Sequence, residues 1–437
     1  MRQNTRFAFV WLAAALLLAL ATHSRQPYLL AIRAIETPLV IMLALVALIA
    51  ATRMPISTGC AIWSRQLPIA GLLLAMVLSI GNEQAFHRQR GAVLSGSNSL
   101  RAVGSHFVIG YSHFDEIAML AKRGLIGGIY LGREFARTRS ASTIKAEILA
   151  LQALREQAGL PPLIVAADQE GGQVAHLSPP LEPLPALASL IEPGDDESLE
   201  QRARAYGALQ GNGLSALGVN LNLGPVADLR PSGRGPVLDT HTLLKRRAIS
   251  ADASLVSRIA EAYGNGLRSE GVTPTLKHFP GLGRTKTDTH HFATKLDASV
   301  ASLAAADWLP FRQAAHNGAA IMLAHVTLAG VDPDQPASLS RKVVQNLLRE
   351  DWGHDGLLIT DDLNMGAVFR KGICNTAVTA LSAGVDLLLI SYDPDQYFAA
   401  ITCAANAFEQ GEFDPQALAS SRKRIQSVAN HDRFSGI

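Results

Sequence analysis

Two patterns of apolar and polar positions divide the 437 residues of this chain. The first is three apolar runs, at 7–21, 38–51 and 67–80, with no polar stripe along any of them. A helix that is apolar all round is buried in a core or in a membrane. Each run is about 15 residues, short of the ~20 a spanning helix needs, but flanking Tyr, Thr, Met, Trp and Gly residues extend them. The reading is a module of two or three transmembrane helices over 1–82, the alternative being core helices of a soluble domain. Arginines flank the runs on both sides, Arg2, Arg6, Arg53 and Arg65 against Arg25, Arg33, Arg88 and Arg90, so the positive-inside count is tied. Arg2, Arg6, the first run and Ala19-Leu20-Ala21 also suit a signal peptide over 1–21. Cleaved or retained, the first run leaves the rest of the chain on the outer side. Residues 83–100 turn polar and Gly/Ser-rich, which predicts a linker.

The second pattern fills 101–437. Short β-rich runs alternate with longer stretches of helical period. The strands are expected at 106–111, 126–131, 163–167, 219–223, 273–277, 320–325, 356–360 and 385–390. Helices are expected at 114–123, 141–157, 198–217, 252–268, 302–315, 340–350, 375–382 and 396–409. Strict β-then-α alternation implies a parallel sheet, and eight such units close into an α/β (β/α)8 TIM-type barrel whose site is built at the C-terminal ends of the strands. A doubly wound open sheet is the alternative, but no Gly-x-Gly-x-x-Gly follows the first strand.

Charge and cysteine content narrow the picture by exclusion. With 39 basic and 37 acidic residues and a formal net charge of +2, and no basic run interleaved with aromatics, nucleic acid is not an indicated partner. Cys60, Cys374 and Cys403 lie far apart with neither CxxC nor Cys/His ligand spacing, so neither a zinc site nor a disulfide framework is expected, and the redox compartment stays open.

Barrel logic requires chemically able residues just after the strands. They collect there: Asp168-Gln169-Glu170-Gly171-Gly172 after the third, Asp228 after the fourth, His325 after the sixth, Asp361-Asp362 after the seventh and Asp393 after the eighth. Taken singly, Asp228 and Asp393 read as helix caps or turn residues. The fifth strand runs into Lys277-His278-Phe279-Pro280-Gly281-Leu282-Gly283, and Asp288, His290 and His291 follow. Two residues apart, the Asp288 carboxylate can fix the tautomer of His290 and raise its basicity.

This last stretch resembles the Lys-His-Phe/Ile-Pro-Gly-His/Leu-Gly, four free positions, Asp-Ser/Thr-His pattern of the β-N-acetylglucosaminidase (β-hexosaminidase) branch of glycoside hydrolase family 3. The resemblance extends over about 99–430. It implies that Asp361, in the Thr-Asp-x-Leu-x-Met segment, is the nucleophile, that His290 is the acid/base with Asp288 as its partner, and that Asp168, Arg247, Lys277 and His278 bind the sugar. Adjacent carboxylates on an extended segment point opposite ways, so Asp362 is left a supporting or capping role. No metal and no cofactor are required. Arg246 beside Arg247 leaves that register open by one. The chain departs from the pattern where the family carries two arginines and this sequence has Gln173 and His176, which puts the aglycone side in doubt.

The implied function is a membrane-anchored, exported, retaining β-N-acetylhexosaminidase acting on terminal β-linked N-acetylglucosamine of peptidoglycan-derived fragments, with carbohydrate and membrane lipid as its partners. A phosphorylase using the same residues, and a non-catalytic membrane-anchored muropeptide-binding protein, are the alternatives.

Overall fold

A computed structural model describes residues 2–53, 61–111, 113–191, 196–231 and 242–430. The chain divides into two compact units, Met1–Ser95 and Gly96–Ile437.

The first unit holds helices α1 (Arg2–Thr22), α2 (Glu36–Thr52) and α3 (Ala61–Ser95), which contain the three apolar runs. Its packing is inverted relative to a soluble bundle. The buried contacts are dominated by small side chains, Ala14, Ala21, Ala44, Ala47, Ala51 and Ala75, with Val10, Leu17, Val40 and Leu72. Large apolar side chains such as Phe9, Leu12, Leu16, Val46, Ile49, Leu73 and Val77 are exposed. Among the described residues one helix, over Arg65–Ser95, is long and apolar enough to cross a membrane, and the apolar helices Ala8–Thr22 and Glu36–Thr52 are shorter. The expected linker is corrected: α3 runs to Ser95 and another helix begins at Asn98 with Ser97 as its cap, so only Gly96 and Ser97 interrupt the helices. Polar composition there reflects an exposed helix.

The second unit contains eight parallel strands: β1 (Phe107–Gly110), β2 (Gly128–Tyr130), β3 (Ile164–Ala167), β4 (Leu221–Asn222), β5 (Thr273–Phe279), β6 (Ala320–Leu323), β7 (Leu358–Thr360) and β8 (Leu388–Ile390). Each falls within or overlaps the run expected for it. Neighbours in sequence are neighbours in the sheet, and β1 pairs with β8. A bridge between Ile359 and Leu387 joins β7 to β8, so the parallel sheet is nearly closed. Inward side chains from alternating strand positions, among them Val108, Ile164, Leu221, Met322, Ile359 and Leu389, form one buried cluster.

The helix Pro415–Ala429 lies beyond the last expected helix. Its Ile425, Val428 and Ala429 join the interior cluster. Arg424 on the same helix pairs with Asp386, just before β8, so this helix closes the N-terminal end of the barrel. The single helix expected over 302–315 is two, Val300–Ala304 and Leu309–His316. Pro310 lies in the first turn of the second, where its missing N–H costs nothing, and Asp307 in the break pairs with Arg284 at 2.7 Å.

The expectation of no disulfide is also corrected. Cys374 and Cys403 are bonded, with Cα atoms 5.4 Å apart, because the helices Ile373–Ala383 and Gln396–Glu409 pack side by side. A separation of 29 residues carries no signal of that contact. Cys60 lies outside the described residues.

Candidate active site

Most of the residues singled out after the strands meet at the C-terminal mouth of the barrel; Asp393 is instead buried and accepts from Gln396 of the helix that follows. Its floor is a line of buried ionic groups. Arg247 grips Glu170 with both arms of its guanidinium, Nε to Oε2 at 2.9 Å and Nη2 to Oε1 at 2.6 Å. A planar fork on a planar carboxylate fixes distance and orientation together. Lys277 bridges Glu170, at 2.6 Å, to Asp168. Burial works against every charge in this line, yet mutual pairing wins: Asp168 and Glu170 are held below the usual carboxylate range, and Lys277 and Arg247 above their ordinary values. All four are therefore ionised at neutral pH. The register at 246/247 is decided here, since Arg247 is nearly buried and Arg246 is exposed. Arg246 and Gln173 line a groove beside the Glu170–Arg247 pair.

Lys277 and His278 are joined by a cis peptide. His278 donates through Nδ1 to Asp228 at 2.6 Å, and Asp228 also accepts from the backbone N–H groups of His278 and Leu282. Its position after the fourth strand suggested a cap or a turn residue, but Asp228 is fully buried and orients the His278 imidazole, which acts on Asp361.

Asp288 and His290 form a local pair. Asp288 Oδ1 accepts from the His290 ring Nδ1 at 2.7 Å, from the His290 backbone N–H at 2.9 Å and from the Thr242 hydroxyl at 2.9 Å. Burial opposes the Asp288 charge, but these donors keep its carboxyl below the usual range. Burial likewise opposes an imidazolium at His290, and the Asp288 hydrogen bond with the Asp361 and Asp288 charges outweighs it, raising its pKa. The ring is 37% exposed, so it sits at the water-facing edge of the pocket. Backbone bonds from Gly366 N–H to the His290 carbonyl at 2.8 Å, and from Ala367 N–H to the Thr289 carbonyl at 3.3 Å, seat this loop on the segment that follows Asp361. A Cβ on Gly366 would come 2.6 Å from the His291 carbonyl oxygen, so glycine permits the approach.

Asp361 and Asp362 separate as strand alternation requires. Asp362 faces away from the mouth into donors: Ser391 Oγ at 2.6 Å, Tyr392 N at 2.8 Å, and the backbone and side-chain amides of Asn364. Asp361 stays partly exposed. Burial pushes its carboxyl up, but the imidazoles of His278, His325 and His290 bring it below its ordinary value. His325 is fixed by Ser338 at 2.7 Å and the Asp362 carbonyl at 3.0 Å, and burial lowers its pKa. One ionised carboxylate and one proton-carrying imidazole at the same opening can perform nucleophilic substitution with acid/base assistance.

Tyr130 and His176 were not expected in this cluster in these roles. Tyr130 sits at the end of β2, with its hydroxyl 2.7 Å from Asp168 Oδ2 and 2.7 Å from His176 Nδ1.

The profile of the glycosyl hydrolase family 3 N-terminal domain matches residues 99–428. The chain is 36% identical over 278 residues to a beta-hexosaminidase of Nitrosomonas eutropha, covering 62% of this chain and 75% of that protein. It is 35% identical over 276 residues to a beta-hexosaminidase of Neisseria gonorrhoeae, covering 62% and 72%. Among solved structures, a glycoside hydrolase family 3 beta-N-acetylglucosaminidase from Paenibacillus superposes with a TM-score of 0.69 at 30% identity, over 76% of this chain and 62% of that one. The beta-N-acetylhexosaminidase of Beutenbergia cavernae superposes at 0.65 with 27% identity, over 76% and 98%.

Proposed function

The chain belongs to glycosyl hydrolase family 3 and is a glycosidase by that membership, and from that premise we propose that it is a retaining β-N-acetylhexosaminidase releasing terminal β-linked N-acetylglucosamine from peptidoglycan-derived fragments. The observation that carries the reading is the seating of the Asp288–His290 pair on the segment that follows Asp361, which unites one ionised carboxylate with one proton-carrying imidazole.

In the proposed reaction an Asp361 oxygen attacks the anomeric carbon while the bond to the leaving oxygen breaks. Because ionised Asp288 only accepts, His290 Nδ1 is the donor to it, and Nε2 gives its proton to the leaving oxygen. A water then attacks the glycosyl-enzyme, Nε2 takes its proton, and Asp361 is released. Asp168, Lys277, His278 and Arg247 surround the sugar, with the Asp168 carboxylate accepting from its hydroxyls.

The same reading puts the enzyme on the outer side of the cytoplasmic membrane, anchored by the N-terminal helices. Two observations support it. The first unit packs alanines inward and large apolar side chains outward, which suits lipid as its solvent, and a disulfide persists in oxidising compartments.

The test incubates the full chain with aryl β-glycosides of N-acetylglucosamine, glucosamine, glucose and xylose, with and without phosphate, and then with a 5-fluoro glycosyl inhibitor. Cleavage of the N-acetylglucosaminide, without formation of a sugar phosphate, and a covalent adduct on the peptide holding Asp361 are expected. An oxazoline product without an adduct, or an adduct on Asp362, overturns the mechanism. Sugar 1-phosphate in the phosphate arm would make the enzyme a phosphorylase. A C-terminal reporter active only in the cytoplasm would refute the topology.

A further inference from the structure

The line of charges on the floor of the site does not end at Asp168. Tyr130 has one hydroxyl proton and two partners at 2.7 Å, Asp168 Oδ2 and His176 Nδ1. Asp168 is ionised and can only accept. The tyrosine proton therefore goes to Asp168, and the tyrosine oxygen must accept from His176. That choice determines the histidine: its proton is on Nδ1, and in the neutral ring Nε2 carries a lone pair. Nε2 has no hydrogen-bond partner among the described residues, and the side chain is partly exposed.

We propose that His176 and Tyr130 form a relay that positions Asp168 for the sugar, and that His176 Nε2 is a further substrate-binding atom, accepting a hydrogen bond from a ligand hydroxyl when neutral and donating one to a ligand anion when protonated. His176 belongs to the hairpin after β3, Tyr130 to β2 and Asp168 to the end of β3, so the relay ties neighbouring strand ends together. An arginine in the place of His176 would present a permanent cation and no acceptor. This chain instead has a group whose character changes with pH.

The charged and titratable groups facing His176 are Asp168 from the end of β3, Glu170 from the hairpin, Arg133 from the helix after β2, Lys277 from β5 and the Tyr130 hydroxyl. Burial is the largest influence and lowers the His176 pKa; Arg133 and Lys277 act in the same direction, while Asp168 and Glu170 oppose them. At neutral pH the ring is thus neutral and the acceptor form prevails. Acidification below the ordinary histidine value of about 6.5 brings in the donor form.

The inference rests on the proposed hydrolysis, and the test separates the two. The full chain in detergent, labelled with 15N-histidine, reports the His176 tautomer without turnover. The Nδ1–H form is expected in the wild type and a tautomer mixture in Tyr130→Phe; an Nε2–H ring in the wild type overturns the relay whether or not the enzyme cleaves anything. Steady-state kinetics on aryl N-acetyl-β-glucosaminides then measures the binding role. Tyr130→Phe and His176→Gln are expected to raise KM about tenfold, ~1.4 kcal/mol, the upper end of one ordinary hydrogen bond, with a smaller fall in kcat. For an aryl group bearing a carboxylate, the ratio of kcat/KM over the neutral analogue should rise as pH falls in the wild type and stay flat in His176→Gln. Identical pH dependence in both, or a fall in kcat with KM unmoved, refutes substrate binding by His176. No cleavage by the wild type would defeat the proposed hydrolysis while leaving the tautomer result to decide the relay.

Discussion

The two ends of the barrel hold buried ionic clusters of opposite character. At the N-terminal end Asp386 accepts from Arg349 at 2.6 Å, from Arg424 at 3.0 Å and from the Leu358 backbone N–H at 2.8 Å, and it is fully buried. These bonds tie the start of β7, the start of β8, the preceding helix and the closing helix to one carboxylate. At the C-terminal end Asp168 and Asp361 also sit in dense networks, but Asp168 is 18% exposed, Asp361 is partly exposed and the His290 ring is 37% exposed. A buried charge is tolerated only where its partners compensate for lost water. The lower cluster pairs both oxygens of Asp386 inside the protein, whereas the upper one leaves Asp168, Asp361 and His290 partly facing solvent. Stability and chemistry are thereby placed at opposite ends of one sheet.

The sharpest way to break this comparison is at Asp361. Asp361→Asn is expected to reduce kcat on aryl N-acetylglucosaminides by roughly four orders of magnitude or more, with the midpoint of thermal unfolding little changed, because an amide cannot replace a carboxylate in the proposed nucleophilic role. A residual rate within a hundredfold of wild type would remove Asp361 from that role. The counterpart below is Asp386→Ala, which strands two arginines and should cost about 3–5 kcal/mol in denaturant unfolding. Measured on the protein that still folds, its KM should match wild type; an activity loss without a stability loss would mean the two ends are not separate.

His290→Ala should lower kcat/KM by about 10²–10⁴-fold for substrates with poor leaving groups and far less for activated aryl groups, which need no proton. Azide, which needs no general base, should restore the second step and yield a β-glycosyl azide. The pH profile gives the sign. Asp361 is held below its ordinary value, so the proposed nucleophile stays ionised until the pH falls below about 3.9. His290 is raised, so its proton is present at low pH and lost as pH climbs past a value above about 6.5. Activity is expected between these limbs. Asp288→Asn removes the first favourable influence on His290 and should move the alkaline limb down, with a rate between wild type and His290→Ala. A limb that stays in place would show that Asp288 does not set the imidazole. The smallest effect is expected at Gly366, where alanine must push the His290 loop away; kcat should fall a few-fold with KM nearly constant, and a rate equal to wild type would show that the loop has room to shift.

How much of this was legible without coordinates depends on distance along the chain. Eight strands followed from local period, and alternation separated Asp361 from Asp362, since a side-chain repeat of two sends neighbours to opposite faces, while the resemblance picked Asp361 of the two. Asp288 and His290 lie two positions apart, and the pair was visible as such. Asp228 was misread because its partner His278 is 50 positions away, and the spacing of acid to imidazole says nothing across that gap. The Cys374–Cys403 bond and the closing helix were missed for the same reason: one depends on two helices lying side by side, the other on Ile425 and Val428 finding the barrel's open end.

The sequence by itself determined the barrel and the end of it where chemically able side chains collect, because both are written in periodicity, and its resemblance to a family supplied the two groups proposed to perform the reaction. The tertiary structure alone decided which arginine of the pair enters the site, what holds His278, how Glu170 joins Arg247 to Lys277, and that Tyr130 lies between Asp168 and His176. Those contacts join residues 38 to 109 positions apart. Their donors and acceptors are paired only after the sheet has curved, when strand ends distant in sequence surround one mouth.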